Sequence, residues 1–149
     1  MNENAEVINM GTGEKINIEM AEKEFERWAE AWDIYINEGS LNSEAMEELQ
    51  QHKDRFINAI QKGRAVVSDD GSLITYNLIE PVAQIDKVEM RIPKGSAWIV
   101  MDKYKDKQLI HKMNAFMGEA SKTNPKIFAS MDGRDIKFFQ SITAIFLGS

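Results

Sequence analysis

Ala65-Val66-Val67-Ser68-Asp69-Asp70-Gly71-Ser72-Leu73-Ile74-Thr75-Tyr76-Asn77-Leu78 interrupts a chain that otherwise reads mainly as helix. Apolar residues crowd both sides of Asp69-Asp70-Gly71, a turn in which glycine takes a positive φ without steric cost. Ile85, Val88, Met90 and Ile92 continue the pattern, so residues 64 to 92 predict three antiparallel strands. Pro81 and Pro93 fall at strand ends, where a missing backbone donor does least harm.

Working outward towards the N-terminus, Met46, Leu49, Phe56, Ile57 and Ile60 share one face of a helix. It starts at Asn42 or Ser43 as N-cap and runs to about Lys62, with Gly63 as its stop. Before it, Phe25, Trp28, Trp32, Tyr35 and Ile36 form one narrow stripe at helical spacing, predicting a helix over 21–38 that Gly39 ends. The two helices make a helical hairpin. Val7, Ile8, Ile16 and Ile18 around Gly11-Thr12-Gly13 read as a short β-hairpin. Towards the C-terminus the expectation is helical: a helix capped by Ser96 through Lys105, another over 107–121, a short turn opened by Pro125, and a last helix over 133–147 capped by Asp132. The whole is an α+β fold: N-terminal β-hairpin and helical hairpin, short antiparallel three-stranded sheet, C-terminal bundle of three to four helices. A chain of 149 residues with 43% hydrophobic residues suffices for one core, so 1–149 is read as a single domain, with Gly63 as the joint between subdomains 1–63 and 64–149.

Composition removes several functions. With no cysteine there is no disulfide framework, thiol nucleophile or thiolate metal site. Met1-Asn2-Glu3-Asn4-Ala5-Glu6 lacks the features of a secretory signal, and the apolar runs Trp98 to Met101 and Ala144 to Leu147 are too short for a membrane span. The expected location is the cytoplasm, with no membrane partner. Residues 1–63 carry 14 acids against 6 bases, and 64–149 carry 10 against 12, an asymmetry of −8 against +2. An acidic half repels phosphate, which argues against nucleic acid as the main ligand.

The two histidines, His52 and His111, lack the close spacing of a metal-binding helix and read as ordinary surface or boundary residues. Asp132 and Asp135 read as a helix start, where the dipole favours negative charge. Pro93-Lys94-Gly95-Ser96 reads as a turn and cap without a full phosphate-loop pattern, and Lys103, Lys105, Lys107 and Lys112, interleaved with Asp102 and Asp106, read as a solvated face. No metal, cofactor or catalytic set is expected, and the chain reads as one that binds other proteins. In the last helix Ile136, Phe138, Phe139, Ile142, Ile145, Phe146 and Leu147 span an arc of roughly 200° at about 100° per residue. Either the helix is central to the domain, the favoured reading, or Phe138 and Ile145 face a partner. Nine methionines suit irregular cores and adaptable surfaces alike. Phe138, Ile142, Ile145, Met113 and Met117 are the candidate partner-binding residues.

Residues 73–147 also carry a set of short motifs: Ile79-Glu80-Pro81, Val88-Glu89-Met90-Arg91-Ile92-Pro93, a helix containing Asp102, His111-Lys112-Met113-Asn114-Ala115-Phe116, a turn at Pro125, and Met131-Asp132-Gly133-Arg134-Asp135-Ile136 leading to Phe146-Leu147. This stretch resembles the tail assembly chaperones of long-tailed bacteriophages. The resemblance implies a non-virion protein of the infected or lysogenic cell that coats the tape measure protein and keeps it soluble until tail tube subunits polymerise around it. It brings no catalytic residue. Residues 1–63 depart from the shorter members of that family. A homo-oligomer stays open, as do three other classes: an enzyme or nucleotide binder using the helix start at Lys94 to Ser96, a nucleic-acid-binding or protein-binding phage regulator, and a structural tail component.

Overall fold

The structure is a computed structural model that describes residues 16–149. Helices α1 (Ile18–Ala31) and α2 (Ser43–Gln61) come first, joined through a 3-10 turn at Glu38–Ser40. Strands β1 (Ala65–Val67), β2 (Leu73–Val82) and β3 (Ile85–Arg91) form an antiparallel meander in the order β1-β2-β3. Helices α3 (Gly95–Met101), α4 (Leu109–Ser121), α5 (Pro125–Ala129) and α6 (Gly133–Leu147) follow. The protein is thus α+β, with the expected three-stranded sheet and a helical C-terminal region.

Local chemistry corrects two boundaries at the N-terminal end. Val7, Ile8 and Gly11-Thr12-Gly13 of the expected β-hairpin lie outside the described residues, and its other flank is not a strand: Ile18 opens α1. Asn17 sets that start, its side chain accepting the Met20 N–H at 2.9 Å. The helix then stops at Ala31 and not at Gly39. Asp33 adopts φ +56, and the N–H groups of Asp33 and Ile34 donate to Glu30 and Ala29, the paired bonds of a Schellman cap. Tyr35 and Ile36 therefore leave the helical stripe, and Tyr35 is 72% exposed. Helix α2 behaves as expected: Asn42 accepts the Ala45 N–H, and Gly63, at φ +77, closes a second Schellman cap through Gly63 N–H to Ile60 and Arg64 N–H to Ala59.

The turn between β1 and β2 is fastened to α1. Gly71 sits at φ +80, and a Cβ built there would lie 2.4 Å from the Arg27 carbonyl oxygen. Arg27 donates to the carbonyls of Ser68 and Val67, and the Trp32 indole donates to the Ser72 carbonyl at 3.2 Å. Within the turn Asp70 accepts from the Ser72 N–H and from both serine hydroxyls, which holds its carboxyl down at about 2.

Two further elements differ from expectation. Helix α3 ends at Met101, so Lys103 and Lys105 occupy a turn, and Ser96 lies inside the helix and donates to Glu119 at 3.0 Å instead of capping it. Pro125 opens a true short helix, with Asn124 accepting the Lys126 N–H. Asp132 caps α6 as its spacing predicts, accepting the Arg134 N–H at 2.8 Å.

Helix α6 is central. Phe138 stacks on Tyr76 of the sheet at 4.3 Å between centroids and meets Phe56 of α2 edge-on at 5.4 Å. Phe139 packs against Phe128 of α5, and Phe146 against Trp32 after α1 and Trp98 of α3. One hydrophobic core consequently runs from Ala21 to Ile145, on both sides of Gly63.

Candidate partner-binding surface

The wide apolar arc of α6 resolves as burial. Phe138, Ile142 and Ile145 are at most 2% exposed and Met117 is fully covered, so none of the four faces a partner. The expectation of a binding face at Phe138 and Ile145 is thereby corrected: neighbours on four sides account for the arc, because α2, the sheet, α5 and the α1–α3 end each take a part of it. Met113 is half-buried and packs against the core. Ile145 also borders a half-open cavity of about 180 Å³ between α2 and α6, with Ile36, Leu41, Leu49, His52 and Ala144.

Two polar groups inside this framework look chemical and prove structural. His52 Nδ1 lies 2.9 Å from the Ser141 hydroxyl, and Arg55 donates to that same oxygen at 2.8 Å. With one lone pair taken by Arg55, the hydroxyl still has its own hydrogen to donate to the unprotonated Nδ1 of a neutral ring. Burial first, then the Arg55 charge, lowers the His52 pKa, in keeping with that neutral form. Ser141 is fully buried, so the trio ties α2 to α6 and presents no nucleophile. Asp135, also fully buried, accepts from the Tyr76 hydroxyl at 2.8 Å and from the backbone N–H groups of Ile79 and Glu80. These amides fall where β2 and β3 lose register between Asn77 and Val82, so the carboxylate supplies the acceptors that the ladder lacks there. Burial, and then the Asp135 hydrogen bond, drives the Tyr76 pKa up.

The exposed apolar residues gather elsewhere. From Asn114 to Gly118, α4 is buried on every side, yet its first turn projects with Leu109 at 59% and Ile110 at 55% exposure. On the paired helix α3, Ile99 is 66% and Trp98 43% exposed, Trp98 resting edge-on against Phe116 at 5.3 Å. Ile92, ahead of α3, and Leu147, at the end of α6, are exposed as well. No sequence signal marked these residues, because adjacent apolar pairs are exposed at Trp98-Ile99 and Leu109-Ile110 but buried at Phe116-Met117 and Phe138-Phe139.

Among the described residues no three His, Cys, Asp or Glu side chains converge as metal ligands, and no helix is long and apolar enough to cross a membrane. Lys94, Gly95 and Ser96 form the exposed start of the seven-residue α3. Compared with known protein families, characterised proteins and solved structures, the chain matches none.

Proposed function

We propose that this protein is a tail assembly chaperone of a long-tailed phage or prophage, acting in the bacterial cytoplasm to hold the tape measure protein soluble and to help recruit tail tube subunits. The observation that supports this reading most is the projecting α3–α4 hairpin, whose Trp98, Ile99, Leu109 and Ile110 remain outside an otherwise well-filled core. It lies inside residues 73–147, the stretch that carries the resemblance. A tape measure protein awaiting its tube exposes apolar helical stripes, and an acidic protein of net charge −6 that covers them would keep the complex in solution. The contact surface is accordingly assigned to α3 and α4 in place of Phe138, Ile142, Ile145 and Met117.

The test is co-expression with the tape measure protein of the same phage. The expected result is a soluble complex, with the protein absent from purified particles. A tape measure protein that stays insoluble overturns the proposal, and recovery of this chain from particles would make it a structural tail component.

A further inference from the structure

The apolar hairpin sits in a basic setting, within a chain whose remainder is acidic in sum. Residues 91–126 hold eight Lys and Arg against three Asp and Glu, whereas the rest of the chain holds ten against twenty-one. Two of those three acids are already engaged: Asp106 pairs with Lys112 at 2.8 Å, and Glu119 with Lys122 at 3.0 Å. Lys103, Lys105 and Lys107, in the turn between Ile99 and Leu109, form no ion pair among the described residues and are exposed. The same hairpin thus offers an apolar centre and an unneutralised cationic edge.

We infer that this face docks an amphipathic helix of a partner protein whose apolar stripe is bordered by Asp and Glu. The inference rests on the protein-binding reading above and specifies the partner's chemistry. Four exposed apolar side chains on two paired helices can take the i, i+3, i+4 and i+7 positions of a third helix, while the three lysines meet carboxylates along one border. A second copy of this chain is a poorer occupant. Its acidic ridge on α1, Glu19, Glu22, Glu26 and Glu30, has two large exposed apolar residues on the same helix, Ile18 and Met20, both confined to the first turn, so it satisfies the charge and leaves most of the apolar centre unmatched. An anionic membrane meets the opposite objection, because the rest of the molecule, at −11, is repelled by it.

Trp98 is the reporter, since Trp28 and Trp32 are at most 3% exposed. Synthetic helices of about 18 residues carry one Leu and Ile stripe flanked either by Glu or by Lys. The Glu-flanked peptide is expected to shift Trp98 emission to the blue and to bind at least about tenfold tighter than its Lys-flanked twin. That preference should shrink between about 0.05 M and about 0.5 M NaCl as screening shortens. Ile99→Ser with Leu109→Ser should weaken binding about tenfold or more. Charge reversal by Lys103→Glu, Lys105→Glu and Lys107→Glu touches only exposed turn residues, so it keeps the test decisive if the serine variant misfolds; it should invert the peptide preference. Equal binding of both peptides, or unchanged binding by both variants, overturns the inference. So does concentration-dependent dimerisation in sedimentation that the serine variant abolishes, which assigns the face to a second copy. Binding to phosphatidylglycerol vesicles without peptide discrimination likewise overturns it. Failure to solubilise the tape measure protein while the Glu-flanked peptide still binds would remove the chaperone reading and leave this one standing. Solubilisation by both hairpin variants would do the reverse.

Discussion

Asp135 has no solvent contact, and three donors from β2 converge on its carboxylate. Replacing one of its oxygens by an amide NH₂ sets donor against donor at Ile79 and Glu80, so Asp135→Asn should cost about 2–4 kcal/mol in urea unfolding, and more than Tyr76→Phe, which spares both backbone bonds. Gly71 fails for a different reason. Its positive φ, and the clash that an added Cβ would make with the Arg27 carbonyl, mean that Gly71→Ala must both strain the turn and push it off α1, and the melting temperature should fall. His52 gives a pH signature. Its folded pKa lies below the ordinary 6.5, so the unfolded chain takes up the proton first. Stability is therefore highest above that value and declines as pH falls from 6.5 towards the folded pKa, below which the loss is complete. In His52→Gln that decline should be missing from denaturation midpoints measured across the window.

At the level of elements, the β2–β3 hairpin is held in a costly way. Val82 pairs with Ile85, leaving a two-residue loop in which Ala83 takes φ 49 and Gln84 φ 69. Asn-Gly is the pair suited to such a turn, and Ala83→Asn with Gln84→Gly should raise stability by about 1–2 kcal/mol, read from urea midpoints at unchanged slope. The elements that the sequence revealed are those specified by near neighbours. Asn42 and Asp132 cap α2 and α6 through bonds to the N–H groups of Ala45 and Arg134, both within three positions. Asp69-Asp70-Gly71 makes its turn with its own side chains. What stayed hidden depends on distant partners or unusual residues. An aspartate closing α1 at φ 56 has no glycine to announce it. Asp135 passed for a helix-start acid because its acceptor role involves residues 55 to 59 positions away. The width of the α6 arc was legible, but whether burial or a partner filled it depended on how α2, β2 and α5 surround it.

For the molecule as a whole, one aromatic chain joins the early and late segments: Phe25 to Phe56, Phe56 to Phe138, and Trp32 to Phe146. Trp32→Ala should cost about 3–5 kcal/mol, because this side chain is 3% exposed and lies between α1 and the end of α6. Wild-type stability in that variant would refute the packing described. The central position of α6 also has a consequence during synthesis. Phe56 and Tyr76 emerge from the ribosome well before Phe138 and Phe139, the side chains that cover them, have been made. At roughly 5–20 residues per second the nascent chain carries its aromatic interior uncovered for several seconds, so the first client that a general folding helper meets here is the nascent chain itself. Chains arrested on the ribosome before α6 should be captured by such helpers and cut readily by protease, and chains tethered through an added C-terminal linker that lets α6 clear the exit tunnel should be neither.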